Sequence, residues 1–339
     1  MVPFALDPAC AGKPSVFDID FIAGGQRFAY RFSVTVEAVE SEELVAYPHG
    51  RPQLWFSRKG QEFSFGKSFT GRNRVIADLV RPNSLFISAA AQNDHEMLKG
   101  VVGILGAIQV PIEVFKSLSA ANNLQLREEF DGRIIYFLKE IGSGIVGQTT
   151  KRETPNEKSN RLHEARYWLR DQSNRDAKMD YEINREGPGT VKFLHAGRDD
   201  FTGEFGINQE STGTQRLLVL LKQIFKSLDA GTPLIIDEIE ASLHSKASEA
   251  LIALFTSPKT NPRGAQLIAT THDTNLMRSP LLRRDQIWLT EKSREGETEL
   301  FSLSDFTTRP TDNLERAYMQ GRFGATPFTG SARNMVEAG

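Results

Sequence analysis

Apolar and polar residues alternate along Phe17 to Val36, FDIDFIAGGQRFAYRFSVTV, on both sides of a Gly24-Gly25 pair. Strand side chains point alternately to the two faces, and paired glycines supply the left-handed backbone of a tight turn. The stretch therefore predicts a β-hairpin. Gln53 to Ser57 and Glu62 to Phe65 read as further short strands, so the N-terminal part predicts a small antiparallel sheet. From about Asn83 to Leu138 the period changes. HEMLKGVVGILGAI and IEVFKSLSAANNL space their apolar residues by three and four, the repeat of one helix face. Glu140 to Gly147, EIGSGIVG, is glycine-rich and predicts a bend. After Asp200 strands and helices alternate. Leu217 to Leu228 is a helix apolar over most of its surface, PLIIDE (233–238) a short apolar strand ending in two acids, and Ala247 to Phe255 a helix. QLIATTH (266–272), QIWLTEK (286–292) and ELFSL (299–303) read as three more strands. Apolar strands separated by helices predict a parallel sheet covered on both faces.

Composition narrows the class without naming a function. The 339 residues suffice for one large α/β domain or two small ones, and 39% hydrophobic with 25% charged residues is ordinary for a soluble globular protein. A net charge of -2 gives no global positive field toward nucleic acid, although it leaves a local basic patch open. Cys10 is the single cysteine, which excludes an internal disulfide and a multi-cysteine zinc site and fits a reducing cytoplasm. The longest apolar stretch, Val101 to Phe115, is interrupted by Gln109, Pro111 and Glu113 and is too short to span a bilayer. Residues 151 to 178 hold eight Lys/Arg against five Asp/Glu with few large apolar residues. They read as a solvated helix or mobile insertion first, and as a nucleic-acid or partner contact second.

Three short segments carry candidate chemistry. Asp237 and Glu238 end an apolar run, and ligands of open α/β sheets sit at the carboxyl edge of the strands. In a phosphate site the first acid holds Mg²⁺ through water and the second orients or deprotonates the attacking water. Alone, the pattern equally describes a strand end meeting solvent. Thirty-four residues after Glu238 the next apolar run ends in Thr270-Thr271-His272-Asp273, which places His272 at the same edge, where an imidazole can hydrogen-bond a γ-phosphate. The third segment, Glu210-Ser211-Thr212-Gly213-Thr214-Gln215, precedes the buried helix. Its exposed N–H groups make an anion site by geometry and dipole, or simply a helix capped by Ser or Thr.

In this order the segments resemble the ABC-type ATPases, including SMC-like and OLD-like members. STGTQ (211–215) looks like their signature motif, with Thr212 in place of the first glycine; LIIDE (234–238) looks like Walker B; EASLH (240–244) like the segment that touches the partner subunit; TTH (270–272) like the switch histidine. ESTGTQRL, IIDEIEASLHSK, AQLIATTHDTNLM, RRDQIWLTEK, ELFSLSDF and AYMQGRFGATPF, with PFALD and PSVFDIDF near the start, resemble a bacterial group of AAA family ATPases. That likeness covers nearly the whole chain and is densest over residues 205 to 328.

The resemblance implies an α/β, P-loop NTPase-like ABC ATPase head: a parallel sheet with helices, an antiparallel β subdomain and a helical lobe. It divides the chain into an antiparallel β part (1–82), a helical lobe with a charged insertion (83–204) and a core with signature, Walker B and switch histidine (205–339). It implies ATP and Mg²⁺ as ligands. Asp237 would place the metal through water, and Glu238 and His272 would be catalytic. Ser211, Thr212, Gly213, Thr214 and Gln215 would act on nucleotide held by a second head, with Ser242, Leu243 and His244 at the dimer contact. It further implies a cytoplasmic homodimer or hetero-oligomer, without a membrane segment, and an operon-encoded effector in phage defence. Gln92 and Gln26 are candidates for the metal-sensing glutamine.

The string G-x-x-x-x-G-K-[ST], whose backbone cradles the phosphates, does not occur. Its nearest counterpart, GQEFSFGKS (60–68), has five residues between its glycines and lies in an alternating stretch that predicts a hairpin strand. In the resembling family the loop precedes the antiparallel sheet, so it is expected upstream of Met1, through a mis-set start codon, a truncated gene or a split subunit. Its strand is expected between QLIATT (266–271) and QIWLTE (286–291), which would otherwise flank a gap or pair directly. Two readings stay open: an ATPase head, and a non-catalytic module that kept the fold. An OLD-type nuclease is disfavoured, because only 67 residues follow His272.

Overall fold

The computed structural model describes residues 4–110, 129–151, 190–199, 201–278, 280–309 and 312–326. The helical pattern at 112–124 and all but the first residue of the basic stretch 151–178 lie outside them. The chain divides into two compact units, residues 1–108 with 282–339 and residues 109–281, which do not coincide with the segments 1–82, 83–204 and 205–339.

The first unit is built on a five-stranded antiparallel meander in sequence order: β1 (Ser15–Ala23), β2 (Gln26–Val34), β3 (Val39–Tyr47), β4 (Gln53–Lys59) and β5 (Glu62–Phe65). The expected hairpin forms with Ala23 opposite Gln26, and both turn glycines have positive φ, 55° and 77°. β3, VESEELVAY, was hidden in the sequence by Glu40, Glu42 and Glu43; Glu42 in fact points to the covered face together with Leu44 and Ala46. Helices α1 (Asn73–Leu79), α2 (Phe86–Gln92) and α3 (Glu96–Ala107) contribute to a core of Phe28, Leu44, Phe56, Phe69, Phe86 and Leu98.

A buried polar cluster joins this sheet to α2. The Glu42 carboxylate accepts hydrogen bonds from Phe86 N (2.6 Å) and Ile87 N (3.0 Å), capping a helix whose own N-cap residue, Leu85, offers no side chain. It also accepts from the Tyr30 hydroxyl at 2.9 Å and lies 3.7 Å from the Arg58 guanidinium. Arg58 spends its other donors on the carbonyls of Gly60, Pro82 and Ser84. Neither charged side chain is exposed, and such a pair persists only because nearly every donor and acceptor is used.

GQEFSFGKS forms the β4–β5 turn and strand and does not lie between a strand and a helix. Gly66 sits against β4, its N–H donating to Trp55 O at 2.9 Å, and an added Cβ would collide with Leu54 O. That glycine is required by packing.

The expectation of a single parallel sheet needs correction. QIWLTEK and ELFSL form β11 (Trp288–Lys292) and β12 (Thr298–Ser302), an antiparallel hairpin in the first unit. The loop between them closes through Ser293 N to Glu297 O at 2.8 Å, far too short for the crossover a parallel pair requires. Nor is β11 buried: Trp288 is 57% exposed. The last helix of this unit is α7 (Leu314–Met319).

The second unit holds α4 (Gly132–Glu140) and an antiparallel sheet of β6 (Ile145–Lys151), β7 (Thr190–Ala196) and β8 (Thr202–Phe205), so the stretch read as a helical lobe also contains strands. EIGSGIVG bends only at its start, where Gly142 and Gly144 have positive φ, and is already strand from Ile145. There follow α5 (Thr212–Ala230), β9 (Leu234–Ile236), α6 (Ser245–Thr256) and β10 (Leu267–Ala269). α4 meets α5 through Arg133, which is bidentate to Asp229 (2.7 and 2.8 Å) and lies over the Phe225 ring. β9 and β10 are parallel, with Gln109 bridging to the far side of β9. β10, expected to be buried, is not: Ile268 is 58% exposed. Among the described residues β10 pairs with β9 and β11 with β12. No helix among the described residues is long and apolar enough to cross a membrane.

Glu42→Ala strands a buried guanidinium, a phenol and two helix N–H groups at once. We expect a loss of about 3–5 kcal/mol in chemical unfolding, against a smaller loss for Glu42→Gln, which keeps an acceptor. Equal stabilities for the wild type and the alanine variant would contradict this account of the cluster.

Candidate functional site

α5 begins where the small residues of ESTGTQ leave its first N–H groups without helical partners. Ser211, in extended conformation, places its Oγ 3.1 Å from Thr214 N and caps the helix. The buried face, Leu217, Leu218, Leu220, Leu221 and Ile224, holds it in the core. It ends at Gly231, whose φ of 69° lets its N–H return to Ser227 O at 2.8 Å; an added Cβ there would lie 2.9 Å from Arg263 O. Three residues later β9 begins, with Leu234 and Ile236 fully buried.

The register of β9 and β10 pairs Leu234 with Leu267 and Ile236 with Ala269. Because the strands are parallel, both end at one edge, and that edge carries Asp237-Glu238 and Thr270-Thr271-His272 side by side. Thr270 binds them together. Its N–H donates to Ile236 O (3.0 Å) and its carbonyl accepts from Ile239 N (3.0 Å). Its hydroxyl accepts from Glu238 N (2.8 Å) and donates to the Asp237 carboxylate. His272 N donates to Glu240 Oε1 at 2.8 Å, which turns the imidazole outward, with Nε2 3.7 Å from Glu238 Oε1. The facing side chains are open to solvent, His272 at 85% and Glu238 at 55% exposure.

The chain turns sharply through these acids. Glu238 and Ser242 have φ of 49° and 61°, left-handed conformations that cost an L-residue roughly 1–2 kcal/mol. Burial pushes the Glu240 carboxyl up, but hydrogen bonds from Thr271 and from His272 N outweigh it, so the group stays below its ordinary value and ionised.

Of the signature residues, Ser211 and Thr212 are exposed and Gly213 is half-buried. Thr214 is buried, its hydroxyl 2.9 Å from that of Ser211, and Gln215 Nε2 donates to Glu210 O at 2.9 Å. Ser211 and Thr212 are thus the two exposed ones. Gly213 approaches the acid turn so closely that an added Cβ would lie 2.6 Å from Ser242 O. Ser242 and His244 are exposed and Leu243 is half-buried; His244 Nδ1 accepts from Lys246 N at 3.2 Å and caps α6. Gln26 opens β2 and Gln92 closes α2, both in the first unit, whereas the acids belong to the second.

Three residues carry parts of this geometry that the motif comparison passed over. Thr270 has no signal of its own in the sequence, being the first of two threonines that end an apolar run. Arg216, on α5 and 8% exposed, donates from Nη2 to Glu238 O. Its signal was a lone cation where the helix turns apolar. His195 on β7 places Nε2 2.7 Å from the carboxylate of Glu210, the residue before the signature, and packs edge-on against Phe205. No local pattern marks His195, because its partner is 15 residues away.

The donor chemistry suits Mg²⁺ held with a phosphate ligand. Asp237 offers an exposed carboxylate, whereas among the described residues no three His, Cys, Asp or Glu side chains converge as a metal cage. Mg²⁺ takes few protein ligands and keeps several waters.

A family model matches residues 1–278, a span that includes residues 211–215, both acids and His272. The chain belongs to the family described as AAA domain, putative AbiEii toxin, Type IV TA system. This AAA domain is therefore a member of a nucleotide-binding ATPase family with a P-loop NTPase-like α/β fold, which accounts for acids at a parallel-strand edge. No curated protein matches the chain.

In the AAA domain, Thr270→Val removes both the acceptor for Glu238 N and the donor to Asp237. Thr270→Ser keeps the hydroxyl. We expect urea unfolding to show a loss of about 1 kcal/mol for the valine variant and less than half of that for serine. Equal values for the two would remove Thr270 from its bridging role.

Proposed function

We propose that this AAA domain is an ABC-type ATPase head, related to SMC-like and OLD-like heads, that works as a dimer or hetero-oligomer around ATP. The observation that carries the reading is the parallel pairing of β9 and β10, which puts Glu238 and His272 within 3.7 Å of each other beside Asp237. When bound, Mg²⁺ would supply charge neutralisation on the phosphates, and Asp237 would be the residue that holds it. Glu238 takes the proton of the attacking water; its exposed carboxylate and hydrogen-bonded N–H suit a base that must face solvent yet keep its place. His272 donates to the γ-phosphate from the segment that follows the neighbouring strand β10. Ser211, Thr212 and Gly213, at the open end of α5, address nucleotide on a second head, with Thr214 and Gln215 supporting them from behind, and Ser242, Leu243 and His244 lie at the contact between heads.

The 339 residues contain no G-x-x-x-x-G-K-[ST] string, and the nearest one is a packed hairpin strand. We therefore read the chain by itself as a weak ATP binder with background turnover. The family description points to a toxin or abortive-infection setting, and an operon-encoded effector is the partner we favour. A non-catalytic interaction module is the second reading, favoured by that missing string.

Residues 1–339 alone should hydrolyse ATP no faster than buffer, with Glu238→Gln making no difference. A form extended by fusing a phosphate-loop strand and helix ahead of residue 1 should turn over, and Glu238→Gln should lower its kcat by about 100-fold or more with little change in KM. Full turnover by the Glu238→Gln form would end the assignment of Glu238 as base. No turnover by the extended wild type would leave the interaction module.

A further inference from the structure

The signature helix and the acid turn touch at two points that the ATPase assignment does not use. At the first, Gly213 lies under the Ser242 carbonyl, with no room for a methyl group. At the second, Arg216 reaches from the second turn of α5 to the main-chain oxygen of Glu238. The second contact is unusual in its cost. A buried guanidinium gives up water, and burial pulls its pKa down while the nearby Glu238 and Glu240 carboxylates push it back up. It is directed at the backbone of a residue whose φ of 49° is itself strained. Glu238 N is held by Thr270, just past β10, and Glu238 O by Arg216 from α5, so the peptide units on both sides of Glu238 are fixed by side chains from other segments of the chain.

We propose that Arg216 is a positioning residue that locks the Glu238 turn to the signature helix, so that the segment facing a second head's nucleotide and the acid serving the chain's own nucleotide move as one body. A displacement of Ser211 to Gly213 on dimer closure then passes to Glu238 through one guanidinium and one glycine contact. The lock is a property of this chain without nucleotide; its use in catalysis rests on the ATPase reading above.

Hydrogen–deuterium exchange on the full chain, without nucleotide, tests the lock. Arg216→Met should accelerate exchange in residues 237–243 about tenfold while the buried α5 segment 217–228 stays within about twofold of wild type. Arg216→Lys retains one donor able to meet a carbonyl and should restore the 237–243 segment to within about threefold. Gly213→Ala, which pushes on Ser242 O from the other contact, should accelerate residues 239–243 in the same way and carries the test if Arg216→Met does not fold. Unchanged exchange at 237–243 in Arg216→Met would overturn the proposal. So would equal acceleration across α5, which marks a general packing role, or a lysine variant indistinguishable from methionine. Local acceleration with lysine rescue, in a chain whose extended form neither binds nor hydrolyses ATP, upholds the lock and removes the ATPase reading alone.

Discussion

The pairing of three residues with three others, Leu234–Ile236 with Leu267–Ala269, is the constraint on which the candidate site depends. Parallel strands end on the same side, so this short ladder alone brings residues more than thirty positions apart to one edge. Three-residue strands contribute few hydrogen bonds, and β10 is largely exposed, so the pairing relies on what surrounds it. Gln109 extends the ladder beyond β9, and Thr270 continues it past β10 through both its backbone and its hydroxyl. α5 presses its apolar face into the core and delivers the chain to β9 through the Gly231 cap. The site is thus a loop structure fastened at several points to a small piece of regular sheet.

That fastening explains how strained and exposed residues coexist with a defined geometry. Glu238 and Ser242 occupy left-handed conformations, which persist only where surrounding contacts over-determine them. Here Thr270, Arg216 and Gly213 supply the contacts from three segments. The side chains of Asp237 and Glu238 meanwhile stay exposed, avoiding the desolvation that a buried acid pair would incur. The first unit solves the opposite problem. Its Glu42 and Arg58 are fully enclosed, and their worth lies in tying a helix start and two loop carbonyls to the sheet.

Local pattern made much of this legible. The hairpin at Gly24-Gly25, helices α3, α5 and α6, and strands β9 and β10 appear where period and turn residues place them. The three chemical segments were legible because each sits at an element boundary, where small or acidic residues interrupt an apolar run. β3 was not, because a glutamate on its covered face reads as a break in alternation until the partners of that glutamate are known. The direction of β11 and β12 was misread because apolar runs look alike in either sense, and only the five-residue link between them decides.

By itself the sequence marked Asp237, Glu238 and His272, together with the small residues at the start of α5, as candidates for chemistry, because residue type and spacing along one element are local properties. The tertiary structure alone decided which of them meet. It placed His272 against Glu238, Arg216 under the Glu238 carbonyl, Gly213 against Ser242, and His195 beside Glu210. Each of these contacts joins separate elements whose approach is set by strand register and helix packing, and register is a joint property of two segments that neither encodes alone.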